Sequence, residues 1–161
     1  MSAGLTTSSA QPSKDLHKLA PFFRIAVLKA LADCHKDGLD AFVFEAYRSN
    51  ELQKIYYARG RTVRPPEHTV TNAPDNLRSW HGYGLAVDVI SQEKYWDKSM
   101  EWFADVAEHF KAHDCDWGGD WRRPDFPHFQ WGTLKASPSD KARELIQETG
   151  VRSVWAAVGA I

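Results

Sequence analysis

One short stretch constrains this chain more than any other: Gly84-Leu-Ala-Val-Asp-Val-Ile90, an apolar run with a carboxylate inside it. Its length and β-branched content read as a strand. An aspartate in such a strand is strongly disfavoured unless it is paired or ligates a metal ion. On the residues alone the two readings of Asp88, a salt bridge or a ligand, weigh equally. His81 lies just ahead, in the turn before the strand, and Gly82 and Gly84 let the backbone bend tightly enough for a loop residue and a strand residue to converge. A further histidine, His128, opens the short strand His128-Phe-Gln-Trp131, with Asp125 three residues earlier on a Pro-flanked loop. Alone, each histidine is more often a hydrogen-bonded structural residue; the force lies in the combination. Two imidazoles and a carboxylate suit a zinc ion with one position left open.

The surrounding chain supplies a scaffold. Apolar residues at Leu16, Leu19, Phe23, Val27, Leu31 and Cys34 recur at helical steps and predict an amphipathic helix, stopped near Gly38. Ala41–Tyr47 reads as a strand, and Ser49 as the cap of a helix that ends at Gly60. Residues 61–78 form a long polar loop without period, a length that is usually functional or mobile. Trp96, Met100, Phe103, Val106, Ala107 and Phe110 predict another helix, and Asp116–Pro127 is rich in turns. Residues 138–148 predict a last helix, and the apolar tail 151–161 is expected to dock on the domain. The order α-β-α-β-α-β-α fits an α+β fold with a small sheet flanked by helices.

At 161 residues the chain fits one domain, expected over 15–161 after a disordered lead-in over 1–14. A net charge of −1 argues against a nucleic-acid partner, and no apolar run approaches a membrane span. Cys34 and Cys115 are expected to be buried thiols. No basic start precedes an apolar stretch, so synthesis in the cytoplasm without a signal peptide is expected. Monomer is the expected state.

The pattern S-x-H-x-x-G-x-A-x-D, met by Ser79, His81, Gly84, Ala86 and Asp88, resembles the signature of the D-Ala-D-Ala metallopeptidase group, whose wider family includes hedgehog-like domains. The resemblance runs from Tyr47-Arg48-Ser49 to Trp131. It implies a zinc site on a small antiparallel sheet, with His81, Asp88 and His128 as ligands, Asp125 as the general base, and Arg48 facing the reaction. Asp125 stands where the carboxypeptidase and dipeptidase branches carry glutamate, and Val70-Thr-Asn-Ala73 and His128-Phe-Gln-Trp131 are similar to the L-alanyl-D-glutamate endopeptidases found among phage endolysins. The implied activity is hydrolysis of that bond in peptidoglycan, on the cell wall after release, through a holin if the source is a phage. Gln53, Ser79 and Trp131 are the expected substrate-side residues, with Trp117 and Trp121 structural. The rivals are a D,D-carboxypeptidase or D-Ala-D-Ala dipeptidase of the same family, and a zinc-bearing cell-wall binding module without catalysis. Asp114, Asp116 and Asp120 read as a solvated acidic rim, and His68 lies in the long loop within reach of a substrate.

Overall fold

The computed structural model describes residues 10–63 and 68–161. The first helix does not run unbroken from Leu16: a 3-10 turn covers Leu16–Lys18, and helix α1 spans Pro21–Lys36. Pro21 explains the break. It disfavours helical geometry at Ala20, which is extended (φ −53°, ψ 139°), and suits the first helical position itself. Strand β1 (Ala41–Glu45) follows, then helix α2 (Asn50–Ala58), whose Ser49 cap accepts a hydrogen bond from the Leu52 amide. Strand β2 is Ala86–Ser91, helix α3 is Met100–Lys111, and the two shortest strands are β3 (Cys115–Trp117) and β4 (His128–Trp131). Helix α4 (Asp140–Thr149) and helix α5 (Val151–Ala157) close the chain.

Three features depart from the sequence expectation. Strand β3 falls at the start of the stretch read as turns; three residues are too few to show a period. Trp96 stands outside helix α3, which starts one turn later because the Ser99 side chain caps the Trp102 amide. The tail adds helix α5, and it docks as expected: Val154 and Ala160 are buried, and the Ala160 carbonyl accepts from the Phe22 amide. Of the expected lead-in, residues 1–9 lie outside the described residues, while the Ser13 carbonyl accepts from the Ala46 amide.

The four strands form one antiparallel sheet in the order β1-β2-β4-β3. Its two faces differ because strand side chains alternate. Val43, Val87, Val89 and Phe129 join Phe23, Val27, Val106 and Phe110 of α1 and α3 in the core. Phe110 stacks on Phe129 with ring centres 4.3 Å apart. The opposite parity on β2 and β4 carries Asp88 and His128, which are paired across the two strands. Near the end of β1 the register slips between Val43 and Glu45, and Glu45 pairs with Asp88. This is a β-bulge, a device that re-aims side chains beside a site. Cys34 and Cys115 are buried free thiols, and burial pushes both up to about 12. No helix among the described residues is long and apolar enough to cross a membrane.

Candidate metal centre

His81 reaches the sheet from a 3-10 turn, Trp80–Tyr83, rather than from an open loop. Its glycines are required. A Cβ on Gly82 would stand 1.9 Å from the Asn76 carbonyl oxygen, and Gly84 ends the turn in the left-handed region at φ 67°. The turn is tied to the end of β1 in both directions. The His81 Nδ1–H donates to the Ala46 carbonyl (2.9 Å), and the His81 carbonyl accepts from the Arg48 amide (3.0 Å). With Nδ1 committed, the lone pair of Nε2 faces Asp88, 3.3 Å from Oδ1.

His128 is fixed by a second chain of bonds. Gln130, two residues on and therefore on the same face of β4, is fully buried. Its amide Nε2 donates to the Lys135 carbonyl (2.9 Å), so its Oε1 must be the acceptor for His128 Nε2–H (2.8 Å). The His128 Nδ1 lone pair is thereby left facing Asp88, 3.8 Å from Oδ1. Burial, helped by the neighbouring His81, pushes His128 down to about 4, so the ring stays neutral at physiological pH. Burial opposes the charge of Asp88, but His81, Arg48 and His128 outweigh it and hold its carboxyl well below the usual range. The ligand atoms of His81, Asp88 and His128 all lie within 4.8 Å of one another. Two neutral imidazoles with oriented lone pairs and one ionised carboxylate are the donor set of an open zinc site, so the residues fit the metal. Asp114, Asp116 and Asp120 form no such group among the described residues.

Gln130 had no signal as a lone residue, yet its spacing from His128 was readable. Gln130→Leu is expected to weaken metal binding about 10–100-fold, because His128 loses the partner that selects its tautomer. Titration of the purified variant against a chromophoric chelator measures this; unchanged affinity refutes the role.

Asp125 lines the same cavity, which measures about 1070 Å³. Its loop is held against Gly118, whose carbonyl accepts from the Asp125 amide (2.9 Å). A Cβ on Gly118 would stand 2.5 Å from the Asp125 carbonyl oxygen, so only glycine allows this approach. Although Asp125 stays open to solvent, the surrounding protein and the charge of Asp88 push its carboxyl up to about 6. A carboxylate in that range is a serviceable proton carrier near neutrality.

Arg48 also lines the cavity, but it is more embedded than its place after a strand suggested. Its guanidinium donates twice to Glu45 (2.6 and 2.9 Å) and once to Gln53 (2.9 Å), stands 3.6 Å from Asp88 Oδ2, and lies over the Tyr56 ring. Of its five N–H donors, three are so engaged among the described residues. Glu45 was missed in the sequence. A carboxylate at the buried parity of β1 carries the same signal that singled out Asp88.

The expected substrate-side residues divide. Ser79 lines the cavity and its hydroxyl accepts from the His81 amide (3.4 Å). Gln53 does not line the cavity: it is fully buried, and its amide ties Arg48 to Ala73 (2.8 Å) and Thr71 (3.3 Å). Trp131 does not wall the cavity either. Its parity turns it toward the core, where it meets Phe23 edge-on and donates to the Val158 carbonyl (2.8 Å). Trp121, expected to be structural, lines the cavity and packs over His128 with ring centres 4.9 Å apart. Trp117 is structural, donating to the Phe126 carbonyl, and His68 is exposed outside the cavity wall.

This geometry has known counterparts. Residues 72–131, which contain the three metal-site residues and Asp125, match the family model described as D-alanyl-D-alanine carboxypeptidase. The chain is 33% identical over 129 residues to the peptidoglycan L-alanyl-D-glutamate endopeptidase CwlK of Bacillus subtilis, covering 72% of this chain and 73% of the relative. It is 27% identical over 125 residues to an L-alanyl-D-glutamate peptidase of a Listeria phage; the match covers 73% of this chain but 39% of that longer protein. The fold is similar to the crystal structure of the Serratia marcescens L-Ala D-Glu endopeptidase ChiX, at a TM-score of 0.57 and 23% identity, over 76% of this chain and 87% of the other. The shared fold, the matched motif and the extent of identity with CwlK place one conclusion beyond the resemblance: this chain belongs to the D-Ala-D-Ala metallopeptidase family.

Proposed function

We propose that this chain is a zinc-dependent peptidase that hydrolyses the L-alanyl-D-glutamate bond of peptidoglycan stem peptides. The observation that carries the reading is the convergence of His81, Asp88 and His128 in one cavity with Asp125, an aspartate of raised proton affinity. The names of the Bacillus and Listeria phage relatives support the choice of bond. Zinc held by the three residues would supply a Lewis acid that polarises the scissile carbonyl and acidifies a water. Asp125 takes the proton of the attacking water and returns it to the leaving amine. Arg48 lines the cavity, and its donors not spent on Glu45 and Gln53 serve to stabilise the developing oxyanion or a substrate carboxylate. One chain builds the whole donor set, which supports action as a monomer. The phage source of one relative supports an endolysin role on the host cell wall.

Purified peptidoglycan digested with the enzyme, with and without a chelator, tests this by mass spectrometry. New N-terminal D-Glu and C-terminal L-Ala, lost with chelator and restored by zinc, are the expected products. Released D-Ala or D-Ala-D-Ala would move the enzyme to the carboxypeptidase or dipeptidase branch. Bound zinc without cleavage would favour a binding module.

A further inference from the structure

We propose that Trp96 and Phe44, on the wall of the catalytic cavity, form a subsite for the pyranose ring of the sugar that carries the stem peptide. The inference rests on the proposed bond specificity and asks what that choice of bond demands of the protein. In peptidoglycan the L-alanine is joined to the sugar through a lactyl group. One amino acid and one lactyl unit therefore separate the scissile carbonyl from the ring, a span of at most about 7 Å for two chain units. An enzyme that attacks this carbonyl in the intact wall always meets a sugar beside its reacting centre.

Phe44 is placed to meet it. The bulge in β1 sets two residues, Phe44 and Glu45, opposite Asp88, and Phe44 and Asp88 line the same cavity. From strand spacing and rise, the Phe44 backbone lies about 6 Å from that of Asp88. Trp96 extends this wall. Its ring meets the Phe44 ring edge-on, with centres 4.6 Å apart, yet the residue is 52% exposed and lines the cavity. Neighbouring Tyr95, edge-on to Phe42, is 55% exposed. Two half-open aromatic rings, Phe44 and Trp96, beside a polar catalytic centre are suited to the apolar C–H face of a sugar, since such rings bring large contact area in a fixed geometry.

The turn that carries Trp96 is built to hold it. Ser91 and Tyr95 exchange backbone hydrogen bonds (3.0 and 2.8 Å), and the Asp40 carboxylate accepts from the Ser91 hydroxyl (2.7 Å) and the Glu93 amide (2.9 Å). Tyr95 is held at φ 54°, a conformation uncommon for a residue with a Cβ. These ties anchor the turn to the end of β2, so the indole is presented from the sheet that carries Asp88.

The test compares two substrates: a disaccharide-tetrapeptide released from cell wall by a muramidase, and the same tetrapeptide with an acetyl group in place of the sugar. The readout is the ratio of their kcat/KM values. The wild-type enzyme is expected to favour the sugar-bearing substrate. Trp96→Ala is expected to lower that preference about tenfold, chiefly through KM, while Trp96→Phe retains most of it. A merely structural role for Trp96 would lower both kcat/KM values together and leave the ratio unchanged, which overturns the proposal. A wild-type ratio near one overturns it as well, while cleavage of both substrates at the L-Ala–D-Glu bond leaves the proposed function standing. If the wild-type enzyme cuts neither substrate at that bond, the functional reading falls and takes the subsite with it.

Discussion

Replacing Asp125 by asparagine is expected to reduce kcat on peptidoglycan about 10²–10⁴-fold, the range contributed by a positioned general base, while zinc content stays stoichiometric. The substitution keeps the side-chain shape and the backbone tie to Gly118, but removes the group that carries the proton. Full activity with zinc bound would show that the proton travels elsewhere. A second readout follows from linkage in the chelator-treated protein. The surrounding protein and Asp88 raise the Asp125 carboxyl from 3.8 to about 6, so the folded state holds its proton more tightly; that stability is present below pH 3.8 and is lost as pH rises toward about 6. Burial lowers His128 from 6.5 to about 4, so its contribution has the opposite sign: present above pH 6.5 and lost as pH falls toward about 4. In the wild-type protein the two slopes oppose each other between about pH 4 and 6. The Asp125→Asn substitution removes the first slope and leaves the second. Thermal denaturation across this window should therefore show the metal-free Asp125→Asn protein losing stability on acidification more steeply than the wild type. Parallel curves would mean that the folded protein does not raise the Asp125 carboxyl.

His81→Ala should abolish measurable activity by removing one of the three proposed metal donors. The loss of zinc affinity should exceed the roughly 10–100-fold expected for an outer partner such as Gln130. His81 is also a structural tie, because its Nδ1–H satisfies the Ala46 carbonyl at the end of β1. Leaving that carbonyl without its partner costs about 1–3 kcal/mol, so the metal-free variant should melt earlier than the metal-free wild type. Two measurements separate these effects. Zinc analysis after dialysis reads the ligand role. The rise in Tm on adding zinc reads the same role by mass action and should vanish in the variant. His113→Ala serves as control: His113 pairs with Asp33 on the helix surface (2.8 Å) and lies outside the cavity, so its zinc response should match the wild type. Stoichiometric zinc in His81→Ala would remove His81 from the ligand set.

The serine caps at Ser49 and Ser99, the break signal at Gly38 and the apolar period of α3 were all legible in the sequence, because each depends on residues within one turn of chain. Pro21 was as legible and decided the start of α1 against the longer apolar period. The site was legible for a different reason. A carboxylate in an apolar strand and two histidines beside bends are chemically conspicuous wherever the strands end up, and the spacing of the motif carried the family.

What the chain alone determined, then, was the identity of the groups that meet and the kind of element bearing each of them. Which partners they meet was decided by the order β1-β2-β4-β3, which joins strands distant in the chain. That order brings the end of β1 against Asp88, and so makes Glu45, Arg48 and Gln53 one buried network. It also decides between tryptophans. Trp131 has core parity on β4, while Trp121 and Trp96 come to the cavity from turns whose direction no local pattern encodes. Local propensity and chemical type are properties of neighbouring residues; the wall of a cavity is a property of register, and register is set only when all four strands pair.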